Sequence, residues 1–397
     1  MLYYKGIFDT REVAVKRIPK KSFPHSVREV NLWREISEHS NVLTYYYAEV
    51  DGDYINIAME LMDGSMENFT TTQLDENDVK SIISQVMEGI NHIHCNRIMH
   101  RDIKPQNIFY KKINGKTNVK IGDFGLSKLT NLDLTMNMSS GVKGTENWKA
   151  KEVLEGSKDD KISTKVDMFS LGLFLYYLFT KKHPFQNREC NLTQYQVNCK
   201  ICQGRYNLDL DPSKSMWKHI IEKMISTEAD DRPPASVVLR HPALWPEKTT
   251  KAFIRDAACF FENKKNKATN EAVRELETKA DSIIGQPLDW TRIPHRAIIS
   301  DLKIQFEKFT KNKKKYTPDE KSVFSLLRTI RNKITHQSNT TPEAKKLYKK
   351  SGGVTFYWTK KFPKLVLEMY LVLEKNKTED ELKEYYIQDY RYDKVIT

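Results

Sequence analysis

Apolar and polar positions fall into two regimes along the 397 residues. Near the N-terminus, Val13-Ala14-Val15-Lys16 reads as an apolar strand that ends on a lysine, followed by a helical stretch carrying Glu29. The run from Met168 to Phe179 predicts a long buried helix, opened by Asp167-Met168-Phe169-Ser170-Leu171-Gly172. This longest apolar stretch falls well short of the roughly 18 to 20 residues that cross a bilayer, and no charged-then-apolar signal pattern follows Met1. No membrane insertion is expected of these residues. Beyond Pro246 the pattern turns helical almost at once. Phe253, Ala257, Phe260 and Phe261 form one set; Ile298, Leu302 and Phe306, with Phe309 beyond, form the next. Val323, Leu326, Leu327 and Ile330, then Phe362, Leu365, Val366 and Met369, complete the series, each set reading as the core face of a helix. No low-complexity linker separates the regimes, so a packed junction is expected rather than a tether. The expected division is a mixed part, 1–246, with a small lobe to about residue 62 and a helical lobe after it, and a helical part, 247–397.

The polar positions of the first part carry chemistry. His100-Arg101-Asp102-Ile103-Lys104-Pro105-Gln106-Asn107 and Asp123-Phe124-Gly125 stand at the spacing of a protein-kinase catalytic loop and metal-binding loop, which they resemble. Phosphoryl transfer explains the residue types. Asp102 would accept or orient the substrate hydroxyl proton, Lys104 would steady the transferred phosphate, and Asn107 and Asp123 would hold magnesium. Lys16 would meet the nucleotide phosphates with Glu29 as its ion-pair partner. Glu60-Leu61-Met62 reads as the hinge, with Glu60 and Met62 beside the nucleotide and Met59 controlling access behind the adenine. ATP or ADP with magnesium is the expected ligand. Ala150-Lys151-Glu152 stands where kinases usually carry Ala-Pro-Glu, and Arg232 is the natural partner of Glu152. Intact Lys16, Asp102, Asn107 and Asp123 argue against a catalytically dead scaffold. One element argues the other way: the sequence opens at Met1-Leu2-Tyr3-Tyr4-Lys5-Gly6, within the second half of the hairpin that carries a glycine-rich phosphate loop. The tightness of nucleotide binding and the transfer activity are therefore left open.

Charge divides as the pattern does. Residues 1–246 hold 33 Lys+Arg against 31 Asp+Glu, whereas 247–397 hold 32 against 21, so nearly all of the net +13 lies in the second part. A basic domain beside a near-neutral one suits a polyanion, RNA or an acidic membrane surface, and equally a solvated lysine-rich face. The five cysteines, Cys95, Cys190, Cys199, Cys202 and Cys259, are odd in number and scattered, which suits free thiols in a reducing, cytoplasmic compartment. Cys199 and Cys202 lack a second pair at zinc spacing.

Two segments of the second part could touch RNA. Lys311-Asn312-Lys313-Lys314-Lys315-Tyr316-Thr317-Pro318 is a basic, proline-ended loop in which lysines beside a tyrosine could hold and stack single-stranded RNA, or simply be solvated. Arg331-Asn332-Lys333-Ile334-Thr335-His336 follows the Leu326 to Ile330 helix, so Asn332 and His336 share a helical face or its frayed end. RNA can be cut without metal: the 2′-oxygen, relieved of its proton, attacks the adjacent phosphate while an acid protonates the leaving 5′-oxygen. Histidine suits that acid, Arg331 and Asn332 suit the phosphate, and Tyr316 suits the 2′-hydroxyl side.

With these residues in view, the chain resembles the inositol-requiring enzyme family of the unfolded-protein response and its relative ribonuclease L. In both, a kinase is joined to a kinase-extension nuclease. The resemblance covers essentially the whole chain. It includes Tyr4-Lys5-Gly6-Ile7-Phe8-Asp9-Thr10-Arg11-Glu12-Val13-Ala14-Val15-Lys16-Arg17, Ser140-Gly141-Val142-Lys143-Gly144-Thr145-Glu146-Asn147-Trp148, Leu326-Leu327-Arg328-Thr329-Ile330-Arg331-Asn332-Lys333 and Phe362-Pro363-Lys364-Leu365. It implies an α+β bilobal protein-kinase fold followed by an all-α kinase-extension nuclease domain. It places a metal-free RNase centre on Tyr316, Arg331, Asn332 and His336, and activation-segment phosphorylation on Ser140 and Ser139. It further implies a back-to-back homodimer or higher oligomer favoured by nucleotide, and stem-loop RNA rather than DNA as the cleaved partner. Action would be at the cytosolic face of the endoplasmic reticulum, in messenger splicing or decay. An intact Asp123-Phe124-Gly125 and the lack of repeats favour the stress-sensor branch over ribonuclease L. Three features depart from the family pattern: Lys151 for proline, the glycine-rich loop, and a segment from Tyr316 to Ser322 about two residues longer. Two other readings stay open: a ribonuclease-L-like RNase with a regulatory pseudokinase, and a kinase whose basic tail only binds partners.

Overall fold

Residues 2–22, 36–70, 74–124, 127–130, 135–137, 145–156, 161–186, 192–263, 267–310 and 318–386 are described by the computed structural model. Residues up to Asp209 together with Lys218–Leu239 form one compact unit; Leu210–Trp217 with Arg240–Arg391 form another.

The first unit opens with an antiparallel sheet of β1 (Leu2–Phe8), β2 (Arg11–Pro19), β3 (Tyr45–Asp51) and β4 (Tyr54–Glu60) in the order β1-β2-β4-β3. Asp9 and Thr10, at φ 47° and 66°, close the first hairpin with both turn residues left-handed, the two-residue geometry that matches strand twist. The apolar strand expected at Val13-Ala14-Val15-Lys16 is β2. It lies between β1 and β4, with Lys16 opposite Tyr3 on one side and Ile57 on the other. A lysine in the middle of a sheet is thereby buried, at 4% exposure.

The helical lobe is built around α1 (Glu76–Cys95) and α2 (Lys165–Thr180). Asp75 and Asp78 cap α1 reciprocally, at 2.8 and 3.2 Å, satisfying amides that the first turn leaves open. Ile82, Ile83, Val86, Met87, Ile90 and Ile93 then form its buried face. The apolar run that predicted a buried helix is α2, apolar on all sides and buried from Val166 to Tyr176. Gly172 is required there: a Cβ would lie 2.7 Å from Ile225 Cγ2 and 2.8 Å from Met224 Cβ. The hairpin Ile108–Ile113 and Lys116–Ile121 follows the catalytic-loop motif and runs up to Asp123.

Elements of the second unit's periodic stretch are helical: α3 (Glu247–Glu262), α4 (Lys267–Glu277), α5 (Arg296–Thr310), α6 (Val323–Thr335), α7 (Pro342–Lys350), α8 (Val354–Lys361) and α9 (Leu365–Leu373). The described side chains of the four periodic sets lie where a core face should. Phe253, Phe261, Ile298, Leu326, Leu327, Ile330, Trp358 and Phe362 are fully buried. Helix α6 packs on α3, and its N-terminus is fixed by chemistry as well as packing. The Glu277 carboxylate accepts Ser322 Oγ at 2.6 Å, Val323 N at 2.9 Å and Phe324 N at 3.1 Å, placing an anion on the amides at the positive end of the helix. The bilobal kinase-type fold followed by a helical domain is therefore borne out.

Candidate functional site

Polar residues of the first unit converge between the sheet and the helical lobe. Asp167, at the start of α2, anchors the catalytic loop from below. Its carboxylate accepts His100 N at 2.9 Å and Arg101 N at 2.8 Å, and meets His94 Nε2 at 2.9 Å. Burial opposes its ionisation, but His94 and the His100 backbone outweigh that and hold its carboxyl below the usual range. Arg101 and Asp123 both take left-handed backbone, φ 65° each, a strain that clusters at functional loops. His100 Nε2 meets the Gly122 carbonyl at 3.0 Å, so the two loops are tied directly.

Asp102 stands at the centre. Its Oδ1 accepts Thr145 N at 2.9 Å and Thr145 Oγ1 at 2.7 Å; its Oδ2 accepts Lys104 Nζ at 2.8 Å and Asn107 Nδ2 at 2.9 Å. Lys104 also donates to the Thr145 hydroxyl. Burial again opposes ionisation, and the Lys104 and Thr145 hydrogen bonds win, so Asp102 is held as a carboxylate below its usual range. Asn107 Nδ2 donates to the Asp102 carbonyl as well, at 2.8 Å, which turns the amide oxygen away from Asp102 as an oxygen donor. Lys16 Nζ pairs with Asp123 Oδ1 at 2.5 Å, and Asp123 N donates to the Tyr45 hydroxyl at 3.0 Å. Lys16, Asp102, Lys104, Asn107 and Asp123 thus belong to one connected region.

The hinge residues behave differently. Met59 is buried and Met62 half-buried, but the Glu60 side chain is committed to Lys120 at 2.7 Å and to the Thr44 hydroxyl at 3.2 Å. Glu29, Ser139, Ser140 and Tyr316 lie outside the described residues, as does the loop 311–317. Glu152 and Arg232 form the expected pair, bidentate at 2.6 and 2.9 Å, with Arg232 fully buried.

The second unit gathers its polar residues at the C-terminal end of α6. Successive residues on a helix point about 100° apart, so Arg331, Asn332 and Lys333 fan out from one turn. Arg331 Nη2 pairs with Glu262 of α3, which also holds Arg328 Nε at 3.1 Å. Arg331 Nε is buried with no hydrogen-bond partner among the described residues. Lys333 points into the interior and pairs with Asp301 of α5, both buried. Asn332 is half-buried between them, and its carbonyl accepts His336 N at 2.9 Å. His336 ends the helix with its side chain exposed. A guanidinium, an amide and an exposed imidazole therefore share one helix end, braced from inside by an ion pair.

Two family models of known proteins match the chain. Residues 4–244 match the family model of the protein kinase domain, and residues 250–386 match that of Ribonuclease 2-5A. The chain belongs to the kinase/endoribonuclease family of the inositol-requiring enzyme. Among relatives in that family, the serine/threonine-protein kinase/endoribonuclease ire-1 of Caenorhabditis elegans is 32% identical over 98% of this chain and 39% of its own length. The serine/threonine-protein kinase/endoribonuclease IRE1 of Hypocrea jecorina is 30% identical, over 96% of this chain and 33% of that protein. The serine/threonine-protein kinase/endoribonuclease IRE2 of Homo sapiens is 30% identical, over 97% and 41%. The chain thus spans well under half the length of these relatives. Among the described residues, no helix is long and apolar enough to cross a membrane.

Sequence reasoning did not single out four residues that this family member uses to brace its sites. Thr145, which doubly caps Asp102, lies inside the Gly144-Thr145-Glu146 motif and had a signal there. Asp301, Glu262 and Glu277 had none, because each meets its partner from 32 to 69 positions away.

Proposed function

We propose that this chain is a serine/threonine protein kinase, 1–246, joined to a metal-independent endoribonuclease, 247–397. The observation that carries the nuclease reading is the end of α6, where Arg331, Asn332 and an exposed His336 lie within six positions in a segment similar to Ribonuclease 2-5A. The names of the relatives support both activities.

In the kinase site the donors fit magnesium and a nucleotide: the Asp123 carboxylate and the Asn107 amide oxygen, with Lys16 buried beside Asp123. Bound ATP and magnesium would supply the phosphoryl group and neutralise its charge. Asp102, ionised and fixed by Thr145, orients the acceptor hydroxyl and takes its proton; Lys104, already within 2.8 Å of Asp102, steadies the transferred phosphate. Lys16, buried beside Asp123, would hold the phosphates of a bound nucleotide.

In the nuclease site Arg331 and Asn332 hold the scissile phosphate, and Tyr316 serves the 2′-hydroxyl side. The 2′-hydroxyl gives its proton to Tyr316, the base on that side, and its oxygen bonds to phosphorus as the bond to the 5′-oxygen breaks. His336, protonated, gives its proton to that leaving oxygen, and the products are a 2′,3′-cyclic phosphate and a 5′-hydroxyl. Nucleotide in the kinase pocket and phosphorylation at Ser139 or Ser140 favour a back-to-back dimer that cleaves stem-loop RNA, at the cytosolic face of the endoplasmic reticulum in the unfolded-protein response.

The test is cleavage of a labelled RNA hairpin in EDTA over a range of protein concentrations, with an ADP-magnesium arm. Wild type should cleave more than linearly with concentration and leave the cyclic phosphate; His336→Ala should not cleave yet should still phosphorylate. Asp102→Asn should lose phosphorylation and keep nucleotide binding. Equal loss of both activities in both folded variants would sink the division of labour.

A further inference from the structure

Helix α7 carries a charge pattern that no ion pair among the described residues answers. Ala344 and Tyr348 bury one side of it, while Lys345, Lys346, Lys349 and Lys350 are all exposed. None of the four has an ion pair among the described residues. They form two like-charged i,i+4 pairs, each of which costs an isolated helix roughly 0.2 to 0.5 kcal/mol. From Pro342 to Lys364 the chain carries seven lysines and one acidic residue, Glu343.

The position of this helix is set by the site beside it. Asp301 accepts Thr341 N at 2.7 Å through Oδ1, at the residue that caps α7, and pairs through Oδ2 with Lys333 of the Arg331-Asn332-Lys333 turn. Gln305 Nε2 adds a hydrogen bond to the Asn339 carbonyl at 2.8 Å, in the short turn between His336 and α7. One buried carboxylate therefore registers a row of cations against the end of α6.

We propose that the lysine face of α7 docks the phosphate backbone of the duplex stem of an RNA whose loop is presented to Arg331, Asn332 and His336. The proposal rests on the nuclease reading above. Charge complementarity favours a polyanion, and a membrane surface fits less well. A helix that lies on lipid presents an apolar face to it, whereas the apolar face of α7 is spent on the core and no large hydrophobic residue is exposed on this helix. Contacts of this kind position without reading sequence, so the face would accept any stem of suitable length.

The test measures binding of a labelled RNA hairpin to the full chain in a His336→Ala background between low and high salt. Its variant carries Lys345→Gln, Lys346→Gln, Lys349→Gln and Lys350→Gln together. Each phosphate contact adds about 0.9 to the slope of log K against log salt, so loss of four should lower that slope by roughly 3 to 4. With His336 intact, the same quadruple variant should raise KM for the hairpin about tenfold or more and leave kcat, and the cleavage of a short single strand without a stem, unchanged. Replacement of the four by arginine should restore binding, which separates lost charge from lost fold. An unchanged slope and KM overturns the proposal; so does a loss of binding to phosphatidylserine vesicles with RNA binding intact. Wild type that binds the hairpin through α7 but never cleaves it would sink the nuclease reading alone, and cleavage with an α7-independent slope would sink the docking face alone.

Discussion

Replacing Asp301 by asparagine probes the second unit at its most costly polar contact. Lys333 and Asp301 are 1% and 0% exposed in their side chains. Burial pushes the Lys333 ammonium below the ordinary lysine range, and the Asp301 carboxylate offsets part of that. Asp301→Asn keeps the shape and an oxygen for Thr341 N, but leaves a buried cation with no counter-charge. Removing one partner of such a pair costs about 3 to 5 kcal/mol, whereas replacing both by apolar residues of similar volume is close to neutral. For a unit of this size that is a fall in melting temperature of roughly 6 to 20 °C. Lys333→Met should cost a comparable amount by stranding the carboxylate. Asp301→Asn with Lys333→Met strands no charge, keeps the oxygen for Thr341 N, and should return to within about 1 kcal/mol of wild type. Calorimetry of the full chain, with tryptophan fluorescence following the buried Trp290 and Trp358, reads the transition. If the losses simply add in the double variant, the pair is not coupled and the account of α6 as a helix braced by a buried charge pair is wrong.

Three further expectations follow from the same geometry. Arg331→Ala leaves Glu262 paired with Arg328 at 3.1 Å, so unfolding should shift by about 1 kcal/mol or less while RNA cleavage is lost; a large drop in thermal stability would recast Arg331 as structural. Glu152→Gln withdraws the counter-charge of the fully buried Arg232, which keeps the Ser226, Thr227 and Lys165 carbonyls, and should cost about 3 kcal/mol in urea unfolding; a shift under about 1 would refute the pairing as a brace. His183 is pushed down from 6.5 to about 4 by burial, against the Asn147 carbonyl that supports its charged form. Its folded value lies below its unfolded one, so its contribution is present above about pH 6.5 and lost as the pH falls toward 4. About 2 kcal/mol should be gone at pH 5, and a His183→Gln variant whose urea midpoint fell as steeply between pH 7 and 5 would contradict that assignment.

Much of the architecture was legible because apolar periodicity reports burial, and burial is what decides these elements. Val13 to Lys16 became a central strand, Met168 to Phe179 a buried helix, and Leu326, Leu327 and Ile330 the inner face of α6. The catalytic-loop residues were legible for another reason: Asp102, Lys104 and Asn107 are within five positions of each other, so one short loop fixes their relation. What was not legible are contacts between residues far apart in sequence. Lys333 looked like one more member of a basic, solvated run, and only the fold shows it pointing away from solvent onto Asp301. Glu262 and Glu277 likewise read as ordinary charges on amphipathic helices, yet one holds two arginines of α6 and the other caps its first turn. Glu60 departs in the opposite sense: its place at the hinge was legible, while the commitment of its side chain to Lys120 was not.

These long-range carboxylates change how the basic character of the second part should be understood. Arg328 and Arg331 are answered by Glu262, and Lys333 by Asp301, so three cations at the end of α6 are already held by two acids within the unit. On the proposed reading, a phosphate at Arg331 would meet a guanidinium oriented by Glu262 rather than a loose positive charge, and orientation is the property that a positioned phosphate requires. Exposed lysines with no ion pair among the described residues lie elsewhere, four of them on α7. Long-range attraction and local positioning are thus assigned to different helices, and Asp301, bonded to both Lys333 and Thr341, fixes the distance between them. A net charge of +13 spread evenly over a surface would do neither; on the docking proposal, its division into braced cations and cations with no ion pair among the described residues would let one helix gather RNA and the adjacent helix end act on it.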